Sequence, residues 1–311
     1  MRQCNINLPV IPSVLLCFVL VPAIGNALDL TIEPRIQTGI MDYEFEQKSA
    51  VDATDPEITV TDHGFKIVSA MPFIGAGATL FVDRFFLDFY VQKALSGSDR
   101  ASNPLDIEGD DLSDFALNMV VDSEFERDEF SVSVGYALGR NWALFGGYRK
   151  SETSFSDDLV FGEKLLGVSF SGSGKREVDF NQDGFFLGGV YVLPIGNYSG
   201  LSFSAALASF DGKYDSRGNL TTEILVEGED APDKDTFPTG ILFDGDTLGL
   251  NLGVSWRGRI FEDLNYTLGV DGYSYDFDAK KVQKFTDGTS SVAADLSESV
   301  LRFSAGLSYQ F

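Results

Sequence analysis

The chain carries one histidine, His63, in the run Thr61-Asp62-His63-Gly64. An aspartate beside an imidazole can hold its tautomer and raise its basicity, which makes this pair the one starting point for a general base. Hydrolysis by that route needs a placed nucleophile or a second partner, and no motif around His63 supplies either. The two cysteines, Cys4 and Cys17, both fall within the first 20 residues, so thiolate chemistry has no material elsewhere. The expectation is a protein without catalytic residues and without a cofactor.

Carboxylates are the abundant chemistry. Between Asp99 and Glu129 there are eleven of them against two bases, Arg100 and Arg127, and between Asp211 and Asp246 ten against three. Hard cations such as calcium or magnesium take several carboxylate and carbonyl oxygens, so Asp106, Glu108, Asp110 and Asp111 are weak metal candidates. Asp106-Ile-Glu-Gly-Asp-Asp resembles the opening of a calcium loop. Yet Gly109 is not at the sixth position, and Leu117 stands at the twelfth, where a bidentate glutamate belongs. The simpler reading is that water-facing segments are charged for solubility and mutual repulsion, with loop-bound calcium or magnesium as the alternative. A formal net charge of −24 and a pI near 4.2 exclude a nucleic-acid partner, which would need a cationic face.

The elements that position these groups are strands, preceded by an export signal. Arg2, the apolar run from Val10 to Ile24 and the small residues Gly25 and Ala27 follow the order of a secretory signal peptide cleaved after Ala27. Pro12 and Pro22 interrupt the run, which is shorter than the ~20 residues of a spanning helix. Removing residues 1–27 of 311 leaves 284 with no cysteine, held by packing or by a membrane.

Beyond residue 27 the dominant period is two. In Leu301-Arg-Phe-Ser-Ala-Gly-Leu-Ser-Tyr-Gln-Phe311 the odd positions are apolar or aromatic and the even ones polar or small. The same grammar governs 130–138, 201–207, 248–256 and 266–270, and weaker matches cover 28–46, 63–81, 85–95, 142–154 and 184–194. Short connections near 82–85, 139–141, 195–200 and 258–263 alternate with long polar ones near 47–62, 96–127, 155–183, 211–246 and 279–296. The 211–246 segment has the makings of a hairpin, through Leu220 to Val226 and Thr239 to Phe243.

Glycine, serine, alanine and asparagine on the second face suit a narrow polar interior, not a water-covered exterior, so the apolar face meets lipid. Trp142, Trp256, Tyr198, Tyr309 and Phe311 gather by the short turns, and Tyr43 and Tyr148 toward the long loops, as interfacial belts do. The expected fold is all-β: a single transmembrane antiparallel up-and-down barrel over 28–311, with ten strands and a range of about 8–12.

The chain resembles Gram-negative outer-membrane β-barrel proteins in its signal peptide, hairpins such as Gly139 to Tyr148 and the terminal strand ending in Phe311. That resemblance implies residence in the bacterial outer membrane among phospholipid and lipopolysaccharide. It also implies a terminal assembly signal, Leu307, Tyr309 and Phe311, read by the barrel-assembly machinery. Some ten-stranded barrels of this kind are proteases, and others of similar size cleave lipids, each with a histidine as base; here that role falls only to His63.

Parity places Glu33, Arg35, Lys66, Asp88, Arg149, Asp271 and Arg302 in the lumen, with Asp271 and Arg302 within about two residues of cross-strand register. Two functions follow from that interior. One is a monomeric, porin-like narrow channel for ions or small solutes, weakly cation-favouring at its acidic mouth. The other is a closed structural or adhesin-like barrel whose acidic loops bind divalent cations, envelope or host partners. About 8 strands leave room only for side chains and 16 leave a channel, so ten lies near the closed end.

Overall fold

The computed structural model describes residues 30–52, 58–109, 115–165, 168–227, 231–284 and 291–311. Side chains are described for the same residues apart from 48–52, 58–65, 101–109, 115–119, 164–165, 237, 239, 279–284 and 291–295. The export signal thus lies outside the described residues. Ten strands follow one another: β1 (Leu30–Asp52), β2 (Ile58–Val82), β3 (Phe85–Gly109), β4 (Phe115–Ala137), β5 (Trp142–Leu165), β6 (Val168–Ile195), β7 (Ser199–Val226), β8 (Asp233–Arg259), β9 (Leu264–Lys284) and β10 (Ser291–Tyr309).

Each strand pairs antiparallel with its sequence neighbours, and β1 pairs with β10 from Arg35↔Ser308 to Asp52↔Ser291, closing the barrel. Closure removes both sheet edges, so every strand has a hydrogen-bonded partner on each side. Among the described residues the tightest turn is Asp83-Arg84, where Asp83 takes φ 54°, a left-handed conformation that a short polar side chain tolerates.

At the short-turn end the outward residues are apolar: Ile36, Ile40, Ile74, Phe89, Leu187, Leu207, Leu252, Val270, Phe303 and Leu307 are all exposed. That band is about ten residues tall on each strand, the length a tilted strand needs to cross a bilayer. Above it the faces exchange character within one or two residues. Ile40 is 56% exposed and Met41 0%; Ile74 is 60% and Phe73 1%; Leu301 is 42% and Val300 3%. Below those pairs the outer solvent is hydrocarbon, so apolar side chains point out. Above them it is water, so they point in, as in a soluble barrel.

This inversion corrects the expected loop boundaries. The segments near 47–62, 96–127, 155–183, 211–246 and 279–296 are mostly strand among the described residues, with β1 running to Asp52, β3 to Gly109 and β5 to Leu165. Asp122-Ser-Glu-Phe-Glu-Arg-Asp128 sends its carboxylates outward and Phe125 and Arg127 inward, which is period two with the polarity reversed. The hairpin expected inside 211–246 is β7–β8 itself, still paired at Leu220↔Phe237. Strands of 19–28 residues exceed the bilayer by roughly half their length. The barrel therefore stands on the order of 30 Å above the membrane.

Inside this upper storey sits an apolar core. Phe45 lies 5.2 Å from Phe155 and 5.5 Å from Phe180, centroid to centroid. Tyr43 lies 5.8 Å from Phe125, Phe180 the same distance from Phe277, and Tyr214 5.7 Å from Phe243. Tyr43, expected in the interfacial belt, is wholly buried here: it shares the inward parity of Arg35, Met41 and Phe45 and lies above the level where the outer solvent becomes water, so its ring joins the core.

Candidate functional site

Among the described residues, strands from opposite walls bring charged side chains together in the lumen, which is layered. Nearest the short turns, Arg257 meets Glu33 at 2.7 Å. Arg35 grips Asp88 with two hydrogen bonds of 2.6 and 2.9 Å, while Thr79 donates to the same carboxylate at 2.6 Å. Beside them a cavity of about 220 Å³ is lined by Arg35, Gln37, Asp88, Tyr90, Asn251 and Arg302, among others. Small inward residues such as Ala206 and Ala208 leave that space.

Over the cavity lies an ionic lid. Arg302 and Asp271 stand directly opposite across β9 and β10, with a 2.8 Å contact, and Arg302 donates to Gln92 at 2.7 Å. Arg149 donates to Glu129 at 2.6 Å and to the Tyr275 hydroxyl at 2.7 Å, its guanidinium 4.2 Å from the Tyr273 ring centroid. One layer higher, Arg127 pairs with Glu298 and donates to Thr153 at 2.6 Å. Arg302 also lies 3.8 Å from Glu129, which links the layers.

Every cation in this lid has a carboxylate, so charge is balanced locally. Such pairing repays the desolvation of the ions without adding much net stability. What it does add is geometry: guanidinium and carboxylate lock the opposite walls across the lumen. Above the lid the aromatic core fills the bore, and higher still Arg176 meets Asp157 at 2.6 Å. There the Tyr214 hydroxyl donates to Gln47 at 2.8 Å, and burial pushes its phenol above the ordinary tyrosine range.

Of the residues assigned to the lumen by parity, Glu33, Arg35, Asp88, Arg149, Asp271 and Arg302 point inward and make the contacts above. Lys66 does not. Its side chain is 51% exposed on the outer wall, 2.7 Å from Glu44, because Ile67 takes the inward position beside it. Arg127, Glu129 and Glu298 form half of the lid and were not anticipated, since 96–127 and 279–296 were read as loops with their flanks. A usable signal was present in Asp122-Ser-Glu-Phe-Glu-Arg-Asp128, where carboxylates alternate with Ser123, Phe125 and Arg127.

His63 lies in β2 with Ser49 as its backbone partner, and its side chain is outside those described. Of the metal candidates, Asp106 and Glu108 lie in β3 opposite Ala116 and Thr59, whereas Asp110 and Asp111 lie outside the described residues. Among the described residues no group of three or more His, Cys, Asp or Glu is gathered in a way that could hold a metal ion. Leu307, Tyr309 and Phe311 are exposed on the outer wall, and Phe311 exchanges backbone hydrogen bonds with Ile32 at the barrel seam.

Neither a protein-family model nor a curated protein matches the sequence. Solved structures do resemble the fold. The outer membrane protease OmpT from Escherichia coli is 12% identical, with 92% of this chain and 99% of that one covered at a TM-score of 0.56. OprG from Pseudomonas aeruginosa, also 12% identical, covers 90% and 95% at a TM-score of 0.31. A FadL homologue from Pseudomonas aeruginosa is 13% identical, with 90% of each chain covered, at a TM-score of 0.31. At 12% identity the likeness to OmpT is one of fold alone, that of a closed outer-membrane β-barrel.

Proposed function

From that fold we propose a non-conducting, monomeric barrel of the bacterial outer membrane that raises a rigid acidic surface above the lipid. Of the two functions expected from the sequence, the occluded lumen favours the closed surface-interaction barrel over the narrow channel. The carrying observation is the lid of Arg127–Glu298, Arg149–Glu129 and Arg302–Asp271 beneath a bore filled with aromatic rings. A permeating ion would have to cross a dry apolar layer, where its desolvation is prohibitive. The polar lower cavity is the feature that a channel would share, and it ends at Arg149 and Tyr275.

Outward from the filled bore, the upper wall presents carboxylates to water. Asp183, Asp211, Asp246 and Asp278 are cross-strand partners in succession on β6 to β9. Like charges so placed cost stability, and a surface that keeps them selects cationic partners, whether divalent ions, envelope or host components. In this reading, residues 1–27 are removed on export, the assembly machinery reads Leu307, Tyr309 and Phe311, and phospholipid and lipopolysaccharide surround the apolar band.

Planar-bilayer recording of refolded residues 28–311 tests occlusion. A silent baseline with insertion proven by heat-modifiable gel mobility is the expected result. Discrete conductance steps would restore the channel. The barrel is also proposed to be noncatalytic, so His63→Ala is expected to leave peptide and lipid hydrolysis at the wild-type baseline. A hydrolytic activity of the wild type that His63→Ala abolishes would reverse that part.

A further inference from the structure

One ladder of the barrel is interrupted. β2 and β3 pair from Val82↔Phe85 up to Phe73↔Ala94, and again from Val60↔Ile107 to Ile58↔Gly109, but 61–72 and 95–106 face each other without a ladder pair. Among the described residues, interruptions between other neighbouring strands skip no more than two residues. Across the gap each strand keeps its other neighbour. β2 stays in register with β1 from Gln47↔Phe65 to Ile40↔Pro72, and β3 with β4 from Gly97↔Phe125 to Arg100↔Asp122. The seam therefore belongs to this one pair of strands, and it lies in the upper storey, above the exchange of faces at Phe73 and Ile74.

Two features of the chain end the ladder there. Alternate residues of an antiparallel strand turn their N–H and C=O toward the same neighbour. The Val68 N–H points at β3, where it donates to Asp99 Oδ2 at 3.0 Å. Pro72 stands four residues along, so it shares that orientation and has no N–H to give. On the facing strand, β3 carries an extra residue between Ala94↔Arg127 and Gly97↔Phe125, a bulge that leaves Leu95 and Ser96 both exposed. Above the proline and the bulge, side chains stand in for backbone. Besides the bond from Val68 to Asp99, Ser69 Oγ donates to the Ser98 carbonyl at 3.2 Å. Asp99 is itself held by the Arg100 N–H, 2.7 Å from its Oδ1.

Behind the seam lies the aromatic core. Met71 is wholly buried, and a Cβ on Gly97 would stand 2.6 Å from its Cγ and 2.9 Å from the Phe125 ring. We infer that the seam is a built-in opening of the upper wall, latched by Asp99 and Ser69. When the latch releases, β2 and β3 part locally and Met71 meets water, while the ladders to β1 and β4 hold and the lipid-facing storey stays closed. Opening elsewhere would break a row of backbone hydrogen bonds, whereas here it breaks side-chain contacts.

Amide exchange of the refolded mature barrel, read by mass spectrometry, tests the seam against 177–183 and 211–217, where β6 and β7 pair without interruption. Peptides covering 66–72 and 95–100 are expected to exchange about tenfold faster than that reference, the scale of one or two missing hydrogen bonds. Asp99→Ala is expected to quicken exchange at 66–72 by a further factor of about three, and Asp99→Asn, which keeps an acceptor, to stay near wild type. Residues 28–311 contain no cysteine, so single replacements report access directly. Met71→Cys is expected to react with a water-soluble maleimide about tenfold faster than Val178→Cys, a buried core position on a strand laddered on both sides. Equal exchange in seam and reference, or equal labelling of the two cysteines, would overturn the opening. Acceleration by Asp99→Ala spread equally over seam and reference would overturn the latch.

Discussion

Replacing Glu298 with alanine is expected to destabilise the folded barrel by about 3–5 kcal/mol, the cost of leaving a buried charge without its partner. Arg127 and Glu298 are each only 1% exposed, and they come from β4 and β10, on different sides of the bore. The guanidinium also lies 5.5 and 5.8 Å from the Tyr43 and Tyr273 ring centroids, so it has neither water nor room to move. Without the carboxylate, Thr153 alone would be left to accept from it at 2.6 Å. The comparison that isolates the mechanism is the double replacement Arg127→Met with Glu298→Leu. It removes both charges and is expected to restore most of the loss or exceed wild type, as apolar replacements of buried pairs do. Urea midpoints followed by tryptophan fluorescence and gel mobility would measure both. A wild-type midpoint for Glu298→Ala would mean that the pair is hydrated and the bore is wet.

The second large effect is expected at Phe155, whose replacement by alanine removes the centre of the upper core. Its ring lies 5.2 Å from Phe45, 5.9 Å from Phe125 and 6.3 Å from Tyr43, and the side chain is 3% exposed. A buried Phe→Ala change costs about 3–5 kcal/mol from lost transfer energy and the cavity that remains. The loss should be local, because the upper storey is held by this core and the lower one by lipid. Amide exchange in β4 and β5 above the membrane is expected to accelerate, while the segments around Leu144 and Val134 keep their protection. Phe185→Ala is the contrast: that ring is 73% exposed on the apolar band, and its loss leaves the upper core untouched. Uniform acceleration along whole strands would show instead that the two storeys unfold as one.

Both effects arise from residues whose role depends on where water ends and lipid begins. Strand alternation near the chain terminus, from Leu301 to Phe311, was legible because one face there meets hydrocarbon along its whole length. The same reasoning misassigned Tyr43 and Lys66, because each lies past the level where the outer solvent changes. Asp122 to Asp128 read as loop for a related reason: acidic density resembles solvent-exposed chain, although alternation with Phe125 and Arg127 encodes a strand.

Local chemistry in the sequence by itself determined the strand class, an even count within about 8–12, the short turns and the inward parity of Glu33, Arg35, Asp88, Arg149, Asp271 and Arg302, and the closed barrel fixed the count at ten. Those local features depend only on period two and on neighbours one or two residues away. Tertiary structure alone decided that the bore is filled, that Arg127 finds Glu298 from 171 residues away, and that the acidic segments rise as wall. The physical reason is closure. A barrel joins side chains across its diameter irrespective of their separation in sequence, and which face is dry depends on the solvent outside at that height.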